Sequence, residues 1–204
     1  MTTSWIKHPV VLRSEGVELR PLETELLDDL YRAACNPGIW KLTSIDYSIP
    51  EIFYPNFTAA LNDRDSGKSY PFLIIDPKDS RIVGTTRLLE IYPNDKKLEI
   101  GVTWIDTAYW GTGLNTECKF LLLQYCFEDL MVNRVQFRAK ANNARSRGAL
   151  EKIGAKFEGV QRKDKIEPNG NTRSTAFYSI INDEWHEVKA ALIEKIQGSK
   201  RAAV

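Results

Sequence analysis

Hydrophobic positions along this chain switch between two spacings, and the switches mark its elements. Val17 to Arg20 predicts a short strand stopped by Pro21. Leu26, Leu27, Leu30, Tyr31 and Ala34 then recur at helical spacing and predict a first helix ending near Asn36-Pro37-Gly38. Ser48-Ile49-Pro50-Glu51 has the form of a capping box, and Phe53, Phe57, Ala60 and Leu61 make one helical face behind it. Pro55 predicts a late start or a bend there. Three apolar, β-branched runs follow: Tyr70 to Ile75, Arg81 to Ile91 and Lys97 to Ile105. The turns Asp76-Pro77-Lys78-Asp79 and Pro93-Asn94-Asp95 are too short for anything but antiparallel hairpins.

Beyond Ile105 helices and strands alternate. Leu114, Cys118, Leu121, Leu122 and Tyr125 form one stripe of a helix over Leu114 to Leu130. Arg134 to Ala139 reads as a strand, and Asn143 to Ile153 as a helix that Gly154 ends in a left-handed cap. Phe157 to Lys165 and Thr172 to Ile181 form a hairpin around Pro168-Asn169-Gly170, and Asp183 to Ile196 is a closing helix. The pattern predicts one α/β (α+β) domain, a mixed and mostly antiparallel sheet with helices on both faces. Residues 1–14 read as an N-terminal arm, 15–197 as the domain and 198–204 as a tail.

Composition narrows the classes. With 28 basic and 27 acidic residues the net charge is +1, against the strongly basic surface of a nucleic-acid binder. Cys35, Cys118 and Cys126 are odd in number and make no C-x-x-C pair, which argues against a disulfide framework. Two distant histidines, His8 and His186, leave no zinc cluster, and no metal is expected. Nothing resembles a signal peptide, and no run approaches the ~20 apolar residues of a membrane span. A cytoplasmic location is expected.

The most informative stretch is Trp110-Gly111-Thr112-Gly113-Leu114-Asn115-Thr116, between a strand and a long helix. Its glycines permit a tight turn and the close approach of a ligand. The unpaired amides that open the helix, at the positive end of its dipole, suit a phosphate. The glycines serve a bare turn equally well. No G-K-[ST] follows, so this is not a P-loop, and the third glycine of the Rossmann pattern is missing.

Three blocks in order carry a resemblance: Leu98-Glu99-Ile100-Gly101 on the strand before the turn, Gly111-Thr112-Gly113 with Thr116-Glu117, and Asn143-Ala144-Arg145-Ser146 followed by Leu150-Glu151-Lys152-Ile153-Gly154-Ala155 and Glu158-Gly159. From about Val17 to Trp185 the chain resembles the GNAT superfamily of N-acetyltransferases, and within it the branch that acetylates the N-termini of ribosomal proteins. It departs from the common phosphate loop by placing Trp110 at the basic or amide position and Asn115 at the last small one. It also lacks the tyrosine that many relatives use to protonate the thiolate.

The resemblance implies an acetyltransferase that passes an acetyl group from acetyl-CoA to a primary amine by direct attack in a ternary complex. Gly111, Thr112, Gly113, Leu114, Asn115 and Thr116 would cradle the pyrophosphate. Trp104 and Ile105 would offer backbone groups to the pantetheine arm, and an amide near them would serve the oxyanion. Asn143 is a natural helix N-cap, and in relatives it also bonds the cofactor arm. Ser146 is placed to hydrogen-bond the thiolate; local bonding near a helix start is the other reading. Glu99 is the candidate base, directly or through water, and the alternative is a solvated strand residue facing out. Arg145 and Arg147 either approach the 3′-phosphate or lie on the surface. Trp40, Tyr47 and Phe53 are core aromatics or line the acceptor cleft.

A protein N-terminus is a plausible acceptor. A non-catalytic acyl-CoA sensor, or an enzyme acting on a small amine such as an antibiotic or polyamine, remains open. Monomer and homodimer are both compatible, with no nucleic-acid or membrane partner expected.

Overall fold

Phe72 and Ile74 enter one apolar core while their neighbours Leu73 and Ile75 enter another. A strand buried on both faces requires helices on both, and that requirement shapes the molecule. In the computed structural model, which describes residues 5–43, 45–167 and 170–201, the chain runs β1 (Leu12–Arg13), β2 (Glu18–Pro21), α1 (Leu27–Ala34), α2 (Pro50–Asp65), β3 (Tyr70–Asp76), β4 (Arg81–Tyr92), β5 (Lys97–Ile105), α3 (Leu114–Gln124), β6 (Arg134–Lys140), α4 (Ala144–Lys152), β7 (Lys156–Ile166), β8 (Thr172–Ile181) and α5 (Trp185–Arg201). One sheet of order β1-β2-β3-β4-β5-β6-β8-β7 holds every strand. Residues of α3, α4 and α5 share the core on one face, and residues of α1 and α2 share the core on the other.

All neighbours pair antiparallel except β5 and β6. Their parallel pairing covers only Lys97↔Arg134, Leu98↔Val135 and Glu99↔Gln136. Beyond Glu99 the two strands part, although β6 stays paired with β8 as far as Lys140↔Thr175. On its other edge β5 slips register against β4 between Thr85↔Trp104 and Arg87↔Gly101, and Val102 takes φ +47 there. A bulge of this kind bends a strand and sharpens its twist.

Several local expectations needed correction. The strand β2 does end at Pro21, which is its last paired residue, opposite Phe72, rather than lying just beyond it. The capping box at Ser48 does not form. Ile49 is the N-cap of α2, and the Ser48 hydroxyl, one residue too early, donates to Asp46 Oδ1 at 2.6 Å. Pro55 lies inside a continuous α2, where Phe53, Phe57 and Leu61 bury one face and offset the hydrogen bond that the proline removes. The central helix ends at Gln124 and continues as a π-turn over Tyr125–Asp129.

The stretch read as an N-terminal arm is packed from residue 5 onward. Ile6 and Val10 are buried, and His8 Nδ1 lies 2.9 Å from the Tyr70 hydroxyl. The closing helix starts at Trp185 after a 3-10 turn and runs into the predicted tail. Residues 1–4 and 202–204, and Pro168-Asn169 of the last hairpin, lie outside the described residues. Gly154 does cap α4: its N–H donates to Glu151 O at 3.0 Å and that of Ala155 to Leu150 O at 3.1 Å, a Schellman pair. No helix among the described residues is long and apolar enough to cross a membrane.

Candidate active site in the parting of two strands

Where β5 and β6 separate, β5 has no partner on that edge, so its peptide groups face a cleft of about 390 Å³. The opening of α3 and the start of α4 complete the walls. Trp104, Ile105, Gly111, Gly113, Asn115, Thr116, Asn143 and Ser146, all singled out from the sequence, line it together.

Thr112, Leu114 and Glu99 do not line the cleft. The Thr112 hydroxyl donates to Tyr109 O at 2.8 Å and accepts from the Leu114 amide at 3.4 Å, so both residues are committed to holding the turn. The Leu114 side chain is buried in the core.

The turn leaves its backbone open at Gly111, while Gly113 lies against Ser199 of α5. Gly111 and Gly113 sit at φ +82 and +92, conformations that a side chain disfavours. A Cβ placed on Gly111 would meet nothing within 4 Å, so the backbone there lies open. The first-turn amides of α3 have no carbonyl one turn back to bond, and the helix dipole adds positive character beside them. The residues therefore fit a phosphate-bearing group. Arg145 adds a full charge, with its guanidinium over the Trp110 ring at 3.2 Å from the centroid. Trp110 is held by its own indole N–H, which donates to Ile105 O at 3.0 Å. Arg147 is used elsewhere: it donates to the Tyr178 hydroxyl and to Ala141 O, on the β8 side of α4.

Asn143 caps α4 as expected, its Oδ1 accepting from the Ser146 amide at 3.0 Å. That bond turns the first helical residues, Ser146 among them, toward the cleft.

Glu99 is not a solvated residue facing out. It is only 4% exposed and accepts hydrogen bonds from Gln136 at 3.1 Å and from Arg138. Burial raises its pKa, and the lowering by the Arg138 charge and by the two hydrogen bonds does not cancel it. Glu99 thus sits one side chain back from the cleft, with Arg138 in the wall before it.

Trp40 and Tyr47 pack edge-to-face with each other, and Trp40 with Trp104; Phe53 packs against Phe57 with the rings tilted. These are core aromatics. Ile39 and Thr43, from the connection between α1 and α2, line the cleft instead.

Sequence reading missed Arg138 and Lys119, both in the cleft wall. Arg138 belongs to the alternating run Arg134-Val135-Gln136-Phe137-Arg138, whose polar face looks like a solvated one. Lys119 lies between the apolar Cys118 and Phe120 on α3, and that setting is its one sequence signal of burial. Its ammonium donates to Thr103 Oγ1 at 2.6 Å and to Thr86 Oγ1 at 3.3 Å.

Comparisons with known proteins agree with this geometry. A family described as acetyltransferase (GNAT) domain matches residues 17–156. YdaF of Bacillus subtilis (strain 168), provisionally named a ribosomal N-acetyltransferase, is 33% identical over 131 residues, covering 64% of this chain and 66% of YdaF. The crystal structure of a GCN5-related N-acetyltransferase from Brucella melitensis aligns with a TM-score of 0.83 at 25% identity, over 93% of this chain and 86% of that one. RimJ of Mycobacterium smegmatis, solved in complex with CoA-disulfide, shares the fold at a TM-score of 0.75 and 21% identity, over 91% and 93% of the two chains. The family match spans well over half of the chain and includes the strand, the glycine turn and the cap that build the cleft; the protein belongs to the GNAT acetyltransferases.

Proposed function

We propose that this acetyltransferase moves the acetyl group of acetyl-CoA directly onto a primary amine, and that the amine is a protein N-terminus. The observation that carries the reading is the cleft itself. An unpaired strand edge, an open glycine turn and a capped helix start converge where two paired strands part. Gly111, Gly113, Asn115 and Thr116 would hold the pyrophosphate, and the edge of β5 would hold the pantetheine arm. Bound there, acetyl-CoA supplies a thioester carbonyl as the electrophile.

The chain's own groups take the remaining roles. An attacking amine must be neutral, and Glu99, its proton affinity raised by burial, accepts the proton through a water because it stands behind the cleft wall. Amides of β5 near Trp104 and Ile105 stabilise the oxygen that gains charge. The Ser146 hydroxyl donates to the departing sulfur. Direct attack suits the cleft because no cysteine lines it. Cys118 and Cys126 are buried, and burial pushes the Cys118 thiol up to about 11.

The paired state of Glu99 favours an α-amine. Such a group titrates near ~8, against ~10.4 for a lysine, so it needs less help from a base already held by Arg138. The ribosomal assignment of YdaF points the same way.

A thiol-release assay with acetyl-CoA against N-terminal peptides, internal-lysine peptides, polyamines and aminoglycosides tests the proposal. Turnover confined to free α-amines supports it. Turnover on small amines alone replaces the acceptor, and tight coenzyme A binding with no turnover replaces the enzyme by a sensor.

A further inference from the structure

Lys119 is a buried cation with no anion beside it. Only 5% of the residue is exposed, and among the described residues no carboxylate pairs with it. Burying an ammonium costs several kcal/mol unless its donors are satisfied. Two of its three N–H donors go to Thr103 Oγ1 and Thr86 Oγ1, hydroxyls that also bond each other at 2.7 Å. Thr103 follows Val102, the residue at φ +47 in the β5 bulge, and its hydroxyl donates on to Gly101 O at 3.4 Å. Lys119 is one of the residues lining the cleft, and through Thr103 its ammonium is tied to the strand that bears the bulge. Burial lowers its proton affinity, yet at pH 7 it remains charged.

A structural lysine would be expected to reach solvent or a carboxylate. This one has one donor beyond the two hydroxyls and lies in the wall of a cleft. An ammonium donates and cannot accept, so what it takes in the cleft is an acceptor oxygen, and a carbonyl of the arm laid along β5 supplies one.

Resting on the acetyl-CoA reading above, we infer that Lys119 is a ligand-binding residue whose third N–H donates to a carbonyl oxygen of the acyl-pantetheine arm. In doing so it fixes how deep that arm lies beneath the bulge.

Calorimetric titration of the full chain tests this with two ligands. Acetyl-CoA carries the carbonyl arm, and adenosine 3′,5′-bisphosphate carries only the nucleotide end. For Lys119→Met, an unbranched side chain of similar length, acetyl-CoA should bind at least about tenfold more weakly, as expected for a lost charge-assisted hydrogen bond. The bisphosphate should bind within about twofold of wild type.

S-ethyl-CoA, which lacks only the thioester oxygen, separates the two carbonyl sources. If the substitution weakens it as much as acetyl-CoA, the partner is a pantetheine amide; if it is spared, the partner is the thioester. Either result supports the inference. Equal acetyl-CoA affinity in Lys119→Met, or parallel loss of both acetyl-CoA and the bisphosphate, overturns it. Wild-type protein that binds no acetyl-CoA would remove the functional reading as well.

Discussion

Arg145, at the start of α4, lays its guanidinium on the Trp110 ring at the edge of the glycine turn. Trp110 occupies the position where the family's phosphate loop usually carries a basic or amide side chain. The stack returns a positive charge to the mouth of the cleft from a different element. Arg145→Ala should weaken coenzyme A binding by about fivefold to tenfold and flatten its dependence on salt, because a screened charge is what it removes. Titrations at two ionic strengths check this, and an unchanged salt slope would contradict it.

Glu99→Gln separates binding from chemistry. The amide keeps the size of the side chain and can still accept from Arg138, so acetyl-CoA affinity should hold within about twofold. The kcat should fall by about 100-fold, the lower range for a general base. Because burial raises the Glu99 pKa, the acidic limb of the wild-type kcat profile should lie above the ordinary carboxylate range. That limb should be absent from the variant, and a pH–rate series on both proteins reads it.

Gly111 tolerates space but not conformation. A Cβ there meets no protein atom, yet φ is +82. Gly111→Val should therefore cost roughly 1–2 kcal/mol of stability or more from backbone strain, and it should lower acetyl-CoA affinity at least about tenfold by filling the open turn. Urea unfolding and calorimetry measure the two effects separately. Loss of stability with full affinity would place the phosphate site elsewhere.

Lys119 links the stability of the folded state to pH in the alkaline range, and the link favours the folded state as pH rises. Its pKa is lowered to about 8 from 10.5 by burial, and the Cys118 thiol is its ionisable neighbour. Between those values the unfolded chain binds the proton and the folded chain does not, so stability rises with pH across that window. The cost of keeping the ammonium buried is complete below about pH 8 and gone above about 10.5. Lys119→Met should thus be more stable than wild type at pH 7, by up to about 3 kcal/mol at roughly 1.4 kcal/mol per tenfold change in proton affinity. The gap should shrink as pH rises from 8 to 10. Urea titrations at pH 7 and 10 compare the two, and a constant gap would refute the linkage.

The elements legible in the sequence were those whose signal is local. The strands of the first meander carry β-branched runs with turn residues between them, and Asn143 and Gly154 bracket α4 with cap chemistry that needs no tertiary partner. The serine-based box before α2 misled because the helix starts one residue later, with Ile49 at the N-cap and the Ser48 hydroxyl donating to Asp46. The glycine turn announced the cleft. The side chains that tune it did not announce themselves, since Arg138 reaches Glu99 across two strands and Lys119 reaches Thr86 and Thr103 from a helix. Such partners are separated by 16 to 39 residues in the chain, and only strand register and the packing of α3 on the sheet bring them together.

The three-residue parallel contact between β5 and β6 has a mechanical consequence. On either side of it lies an antiparallel half, β1 to β5 in one and β6, β8 and β7 in the other. The sheet is two stiff panels stitched along a short seam, and the stitching stops where the panels fan apart. A molecule that donates and accepts along the bare margin of β5 would continue the stitching, so filling the gap and setting the angle between the panels become one event.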